Sequence, residues 1–318
     1  MTPDRPSDHQ NRLSFNRPCA THNRRFSVHR RIRLALVAGS LAAPLAAPLA
    51  AQQPQFETTT IADGVHQFRW QGHNAFFVVT DAGVIAVDPI SLEAAAAYAA
   101  EIKRVAPGKP LRAIVYSHHH ADHASGAAVL RRAFGGNAPI IAHANARARI
   151  LAQPDTALPP PDSVFTDRLT LDDPNRPVEL RFLGRTHSDN MIVTYLPRQK
   201  IVFAVDFVSN DRVGYRDLPD YFYPDHFDTL RRLQALDFQR IVFGHGPPGD
   251  KATVDRQVRY YDDLRAAVSA AIARGASEDE AARTVQLPQY QQWGSYAEWF
   301  PLNVRGVYRG LAQAKRAP

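Results

Sequence analysis

Ser117-His118-His119-His120-Ala121-Asp122-His123 puts four side chains of the kinds that bind metals, His118, His120, Asp122 and His123, within six positions. With His at about one position in 25 and Asp at about one in 20, a specified H-x-H-x-D-H arises by chance in roughly one chain in a thousand of this length. The apolar run 113–116 before it reads as a buried strand, and residues 125–134 after it as a helix. In an extended segment residues i and i+2 point the same way, so His118 and His120 can grip one ion while His119 faces elsewhere. Asp122 and His123, past the turn, can hold a second. A solvated polar turn with Asp122 as a helix N-cap explains one such residue better than four together.

Two more histidines follow strand-like runs. His187, in Gly184-Arg185-Thr186-His187-Ser188-Asp189-Asn190, comes after a strand expected at 178–183; His245, between Gly244 and Gly246, comes after one at 241–243. Glycine on both sides of His245 implies a tight turn that aims the side chain. Asp206 ends the apolar run 201–205, and a carboxylate there is either a cap or a bridge between two ions.

The remaining pattern predicts an α/β chain. Strands are expected at 58–61, 66–70, 75–80 and 83–87, separated by turn pairs such as Asp63-Gly64, and an Ala-rich helix at 91–105 stopped by Pro107-Gly108. A strand at 140–141 and a helix at 145–151 close the first half, and the Pro- and Asp-rich stretch 153–177 reads as a connecting loop. Strands at 178–183, 191–195 and 201–205, a helix near 227–236, a strand at 241–243 and helices after Asp250 form the second half. Two halves that each run from strands to helices suggest two packed sheets with helices outside.

The 318 residues, 45% hydrophobic and 22% charged, are those of a globular protein. The net charge of +7 is uneven: residues 1–51 hold eight Arg and two Asp, or +6, which leaves 30 basic and 29 acidic side chains elsewhere. A near-neutral remainder argues against a nucleic-acid partner. Arg24, Arg25, Arg30, Arg31 and Arg33 precede an apolar run over 34–50, which reads as an export signal cleaved near Ala51, too short and Pro-broken to span a bilayer. The expected organisation is a leader, 1–51, and one domain, 52–318, with a core at about 57–250 and a helical region at about 251–314. The single Cys, Cys19, falls in the leader, so a mature chain has no disulfide, thiolate ligand or Cys nucleophile. Periplasmic or secreted placement without stable membrane insertion follows.

From the first hairpins through His118-x-His120-x-Asp122-His123 to Gly244-His245-Gly246, the chain resembles the metallo-β-lactamase fold superfamily over essentially all of 52–318. That resemblance implies an αβ/βα sandwich of two mixed β-sheets flanked by helices, a helical C-terminal extension and two Zn²⁺ at one edge. By motif, His118, His120 and His187 would bind the first ion; Asp122, His123 and His245 the second; Asp206 would bridge; and Asp88 would hold the histidine turn from behind. The aspartate bridge is similar to that of hydroxyacylglutathione hydrolase-like thioester hydrolases, lactonases and exported hydrolases of this fold. The subclass of β-lactamases with a cysteine on its second zinc differs, since Asp206 stands there.

The implied function is an exported zinc hydrolase acting on a small molecule, in which metal-activated water attacks an ester, thioester, lactone or amide carbonyl. Asp122 and Asp206 are its catalytic carboxylates. Iron or manganese in place of zinc, β-lactamase activity, an iron-dependent oxidoreductase of the same fold and a non-catalytic metal-binding accessory protein stay open. For substrate contacts the sequence offers Arg212, Tyr215, Tyr223 and His226 between Asp206 and His245, with His73-Asn74 reaching in from the first hairpin. Tyr260-Tyr261, Trp293 and Trp299 read as helix-packing residues.

Overall fold

The computed structural model describes residues 55–153, 158–171 and 173–314. The leader, its cleavage site and Cys19 lie outside the described residues.

Seven strands form the first sheet, in the order β1 (Phe56–Ala62), β2 (Val65–Trp70), β3 (His73–Thr80), β4 (Gly83–Val87), β5 (Leu111–Val115), β6 (Ile140–His143) and β7 (Ser163–Phe165). The first four pair antiparallel through short turns; β4 to β7 run parallel, joined by crossovers that carry helices α1 (Leu92–Val105), α2 (Ala121–Ala124), α3 (Ala127–Ala133) and α4 (Ala144–Leu151). The second sheet holds β8 (Arg168–Leu171), β9 (Val178–Phe182), β10 (Ile192–Leu196), β11 (Ile201–Ala204), β12 (Arg240–Phe243) and the two-residue β13 (Gly249–Asp250) in consecutive order. Only β11 and β12 are parallel there, and α5 (Asp225–Gln234) lies in their crossover. Helices α6 (Lys251–Ala273), α7 (Glu278–Thr284) and α8 (Tyr296–Ala314) complete the chain. Two mixed sheets flanked by helices are what the sequence pattern implied. Among the described residues no helix is long and apolar enough to cross a membrane.

Alternation along the first sheet explains the layering. Phe76 and Val78 of β3, Ile85 and Val87 of β4, and Ala113 and Val115 of β5 are buried between the sheets. Their neighbours Ala75, Phe77, Val84, Ala86 and Ile114 face the other way, into a second apolar cluster with Tyr98 and Ile102 of α1 and Leu130 of α3. Phe76 stacks on Phe203 of β11, ring centres 5.3 Å apart, and so ties the sheets together.

Three expectations are corrected. The stretch 153–177 is not simply a loop: it supplies β7 and β8, one strand at the end of each sheet. Both are too short to show an alternating pattern, so only their partners define them. The helix expected at 125–134 begins later, as α3 at Ala127, and a separate helical turn, α2, precedes it within the histidine turn; between the two, a Cβ on Gly126 would stand 2.3 Å from Pro89 O and 2.5 Å from Ser91 O. Strand β3 begins at His73, two residues early, because His73 also bridges antiparallel to His245 across the sandwich.

Candidate metal centre

Every donor expected from the sequence sits at one edge of the sandwich, where strands stop. His118 follows the end of β5, His187 follows β9, Asp206 follows β11 and His245 follows β12. Asp88 and Asp206 both end strands in the left-handed backbone region, at φ 53° and 61°, which Asp tolerates better than most residues and which turns the side chain off the strand direction. The turn around His245 needs its glycines for two reasons. Gly246 has φ +82°, and a Cβ on Gly244 would lie 2.7 Å from Val205 Cβ and 3.1 Å from His123 Cε1.

The donors fall into groups whose ligating atoms lie within 4.8 Å of one another: His118, His120, His187 and Asp206; His123, Asp206 and His245; and His73, Asp122 and His245. The first is the expected first-ion set. The expected second set is divided: Asp122 Oδ2 is 3.7 Å from His123 Nε2 and 3.9 Å from His245 Nε2, but 3.4 Å from His73 Nε2. His73 therefore joins the centre, a residue the sequence marked only as reaching in.

Three rings, those of His118, His123 and His245, are aimed by their other nitrogen. His123 Nδ1 donates to Asp88 Oδ2 at 2.9 Å, and Asp88 Oδ1 accepts from Ser117 N at 2.7 Å, so one buried carboxylate fixes both ends of the histidine turn. His245 Nδ1 donates to Gly72 O at 3.0 Å, and His118 Nδ1 is 2.9 Å from Ser117 Oγ. Such partners set the tautomer that leaves Nε2 with a free lone pair. His120 Nδ1 and His187 Nε2 face each other at 3.0 Å, the placement of two donors to one ion.

The residues fit a cation. His118 Nε2, His123 Nε2 and Asp206 Oδ1 are out of contact with solvent and make no hydrogen bond, although neighbours stand 3.3, 3.2 and 3.1 Å away. Buried polar atoms without partners are costly, and a shared cation would satisfy all three at once. Burial holds His118 well below its ordinary pKa and His187 down at about 4, so both are neutral ligands. Burial alone would raise the Asp206 carboxyl, but His123 and His245 outweigh it and hold it far below the usual range. Burial also opposes charge on His123, yet Asp206 and Asp88 overcome it and raise its pKa: positive charge is stabilised at this point.

A cavity of about 480 Å³ opens over the donors. Arg212 and Tyr215, two of the expected substrate contacts, line it. The other three do not. Asn74 is buried behind the site, donating to Phe243 O and Gly246 O at 2.8 Å and accepting from Gln67 Nε2 at 2.7 Å, so it clamps the His245 turn. His226 is fully buried, its Nδ1 2.7 Å from Thr186 Oγ1, and desolvation keeps it neutral with a pKa of about 3. Tyr223 packs on His226 and Phe227. Both are apolar-facing supports for the loop, with no edge in the cavity.

Side chains far along the chain complete the wall. Trp299 of α8 and Gln257 and Tyr261 of α6 line the cavity, although Trp299 and Tyr261 read as packing residues in the sequence. Asn303 of α8, fully buried, donates to Gly214 O and Arg216 O at 2.8 and 2.7 Å and accepts from Gly214 N at 3.0 Å and Tyr260 OH at 2.7 Å. It pins the loop 207–224 over the site. Tyr221 OH donates to Asp206 O at 2.8 Å, tying the same loop to the residue whose carboxylate the donors share. No sequence motif signals any of these contacts.

The chain is similar to several known proteins. The sequence pattern of the metallo-beta-lactamase superfamily matches residues 68–245. The 2,4-dinitroanisole O-demethylase subunit alpha of Nocardioides sp. (strain JS1661) is 31% identical over 194 residues, 58% of this chain and 54% of that protein. The chain thus spans about half the length of that curated relative. A metallo-beta-lactamase from Pontibacter korlensis superposes with a TM-score of 0.56 at 24% identity, covering 64% of this chain and 98% of its own. One from Erythrobacter litoralis gives 0.54 at 21%, covering 65% and 96%. A double mutant of the sec-alkyl sulfatase PisA1 gives 0.66 at 16%, covering 83% and 52%. These structural likenesses speak to the fold alone; with the sequence match across more than half of its length, the chain belongs to the metallo-beta-lactamase superfamily.

Proposed function

We propose that this chain is a metal-dependent hydrolase of a small organic substrate, exported to the periplasm or beyond, with two cations held by His118, His120, His187, Asp206, Asp122, His123 and His245. The observation that carries the reading is the meeting of donors from four strand ends at one carboxylate, Asp206, where His118 Nε2, His123 Nε2 and Asp206 Oδ1 are buried without a hydrogen bond. Imidazoles and carboxylates at this spacing suit Zn²⁺ best, and a donor set without thiolates keeps iron and manganese compatible. Two bound cations would lower the pKa of a shared water toward neutrality and polarise the bond under attack.

The protein's own groups supply the rest. Burial alone would raise the Asp122 carboxyl, but the His73 imidazole, with His123 and His245 beyond it, holds it at about 2, so it stays ionised. Its side chain faces the cavity half exposed, placed to accept a hydrogen bond from an attacking water and orient it. Phe207, Val208, Val213 and Trp299 offer the substrate an apolar wall that keeps bulk water off the bond. A carboxylic ester, thioester or lactone fits this arrangement. The O-demethylase relative adds a second reading, cleavage of an activated aryl ether, on the strength of its 31% identity.

Metal analysis of protein purified without chelator, followed by turnover of ester, thioester, lactone, β-lactam and 2,4-dinitroanisole before and after metal removal, tests the proposal. About two zinc per chain with chelator-sensitive hydrolysis supports it. Two irons would move the chemistry to redox, and a folded chain that takes up no metal would overturn it.

A further inference from the structure

His245 is shared by two groups of donors. Its ligating atom lies within 4.8 Å of those of His123 and Asp206 on one side, and of His73 and Asp122 on the other. Its Nδ1 donates to Gly72 O at 3.0 Å, so Nε2 carries one lone pair and serves one ion at a time. The two groups are therefore alternative positions of a single cation. They differ in depth. In the outer group the side chains of His73, Asp122 and His245 are 34%, 50% and 31% exposed, and all three line the cavity. In the inner group the His123 side chain has no exposed surface and that of Asp206 is 9% exposed.

Backbone pairing aims His73. Its main chain bridges antiparallel to His245, and Asn74 N donates to Gly244 O at 2.8 Å. Residues opposite each other in an antiparallel pair point the same way, so both imidazoles enter the cavity, with ring centres 4.6 Å apart. His73 Nε2 stands 3.4 Å from Asp122 Oδ2, long for a hydrogen bond between these groups. Ligand bonds of about 2.0–2.1 Å meeting at the tetrahedral angle put two donors on one zinc about 3.4 Å apart. A cation in the outer group meets one carboxylate, Asp122. In the inner group it meets Asp206 and satisfies His123 Nε2 and Asp206 Oδ1, both buried without a hydrogen bond. The inner position is thus the more stable, and the outer one is what a cation arriving from solvent meets first.

Resting on the reading of this centre as a two-cation site, we propose that His73, with Asp122 and His245, captures the second cation from solvent and passes it inward to His123 and Asp206. A station on the path changes the rates in both directions alike and leaves the equilibrium alone. The test is stopped-flow uptake of Co²⁺ by the chelator-stripped full chain, read by visible absorbance, with equilibrium affinity from competition with a chelating dye. His73→Leu keeps the bulk and removes the donor. It is expected to slow uptake and release of the second ion by about tenfold or more, and to leave two ions bound with an affinity within about threefold of the wild type. His73→Gln, with an amide oxygen that can hold a cation in passing, is expected to fall between, and it carries the test should the Leu variant fail to fold. Unchanged uptake in the folded variants would overturn the proposal, and so would lost affinity at an unchanged rate, the mark of a permanent ligand. Fewer than two ions on the wild type would sink the two-cation reading and this proposal with it; the stoichiometry tells that failure from an unchanged rate, which sinks the proposal alone.

Discussion

The floor of the cavity and its roof are built in different ways. The floor hangs on strand ends: His118, His187, Asp206 and His245 each follow a strand within a few residues, while the Asp88 carboxylate aims His123, Gly72 O aims His245 and Ser117 Oγ stands 2.9 Å from His118 Nδ1. The roof, residues 207–224, is irregular, with Asp211, Arg216, Leu218 and Asp220 all at positive φ. Side chains from α6 and α8 hold it in place, Asn303 above all. A floor fixed by sheet register is rigid and sets the chemistry. A roof fixed by side chains from elsewhere can change shape with less effect on the donors, and on the proposed function it is the place for substrate choice.

The largest break in that contrast comes from the floor. Asp206→Ala or His120→Ala is expected to lower turnover by orders of magnitude while circular dichroism reports the same fold; turnover like that of the wild type in either would refute the metal centre. Asn303→Leu probes the roof. It strands two carbonyls, one N–H and the Tyr260 hydroxyl, so a loss of about 2–4 kcal/mol in denaturant unfolding is expected, together with a raised KM and full metal content. Loss of metal in that variant would mean that roof and floor are coupled.

Asp88→Ala sharpens the comparison from beneath. Removing the carboxylate that orients His123 should weaken binding of the second ion about 10- to 100-fold, read by competition with a chelating dye. An unchanged affinity would show that the turn alone aims the ring. The smallest effect lies away from both regions. Asp250 caps α6 in a reciprocal box with Thr253, and its loss to Ala should cost about 1 kcal/mol. The Thr253 backbone N–H and then its hydroxyl hold the Asp250 carboxyl below its ordinary pKa. Its contribution is therefore present at neutral pH and fades as pH falls through that lowered value, so wild-type and Asp250→Ala melting temperatures should converge in acid.

The floor was legible because its information is local. Four ligand-type residues in six positions, a Gly-His-Gly turn and an aspartate closing an apolar run each survive as patterns without knowledge of the fold. Strands β1 to β6 were legible for the same reason, as short apolar, β-branched or aromatic runs bounded by turns. Strands β7 and β8 were not, being three and four residues long and defined by what they pair with. Asn74 and His226 look in sequence like polar residues near a site; only their burial shows that one clamps a turn and the other fills an aromatic box.

The sequence by itself determined two packed layers of strands with helices outside and marked the donors of 118–123, because chain pattern and ligand spacing are properties of neighbouring residues; the division of seven candidate donors between two ions and the place of Asp88 came from the family resemblance. Tertiary structure alone decided that His73 stands against Asp122, that Asn303 pins a loop some 90 positions earlier and that Arg212 meets Trp299 across the cavity. The first joins two strand connections of one sheet and the others join the loop 207–224 to α8, approaches that depend on packing between distant segments, and no local pattern encodes that packing.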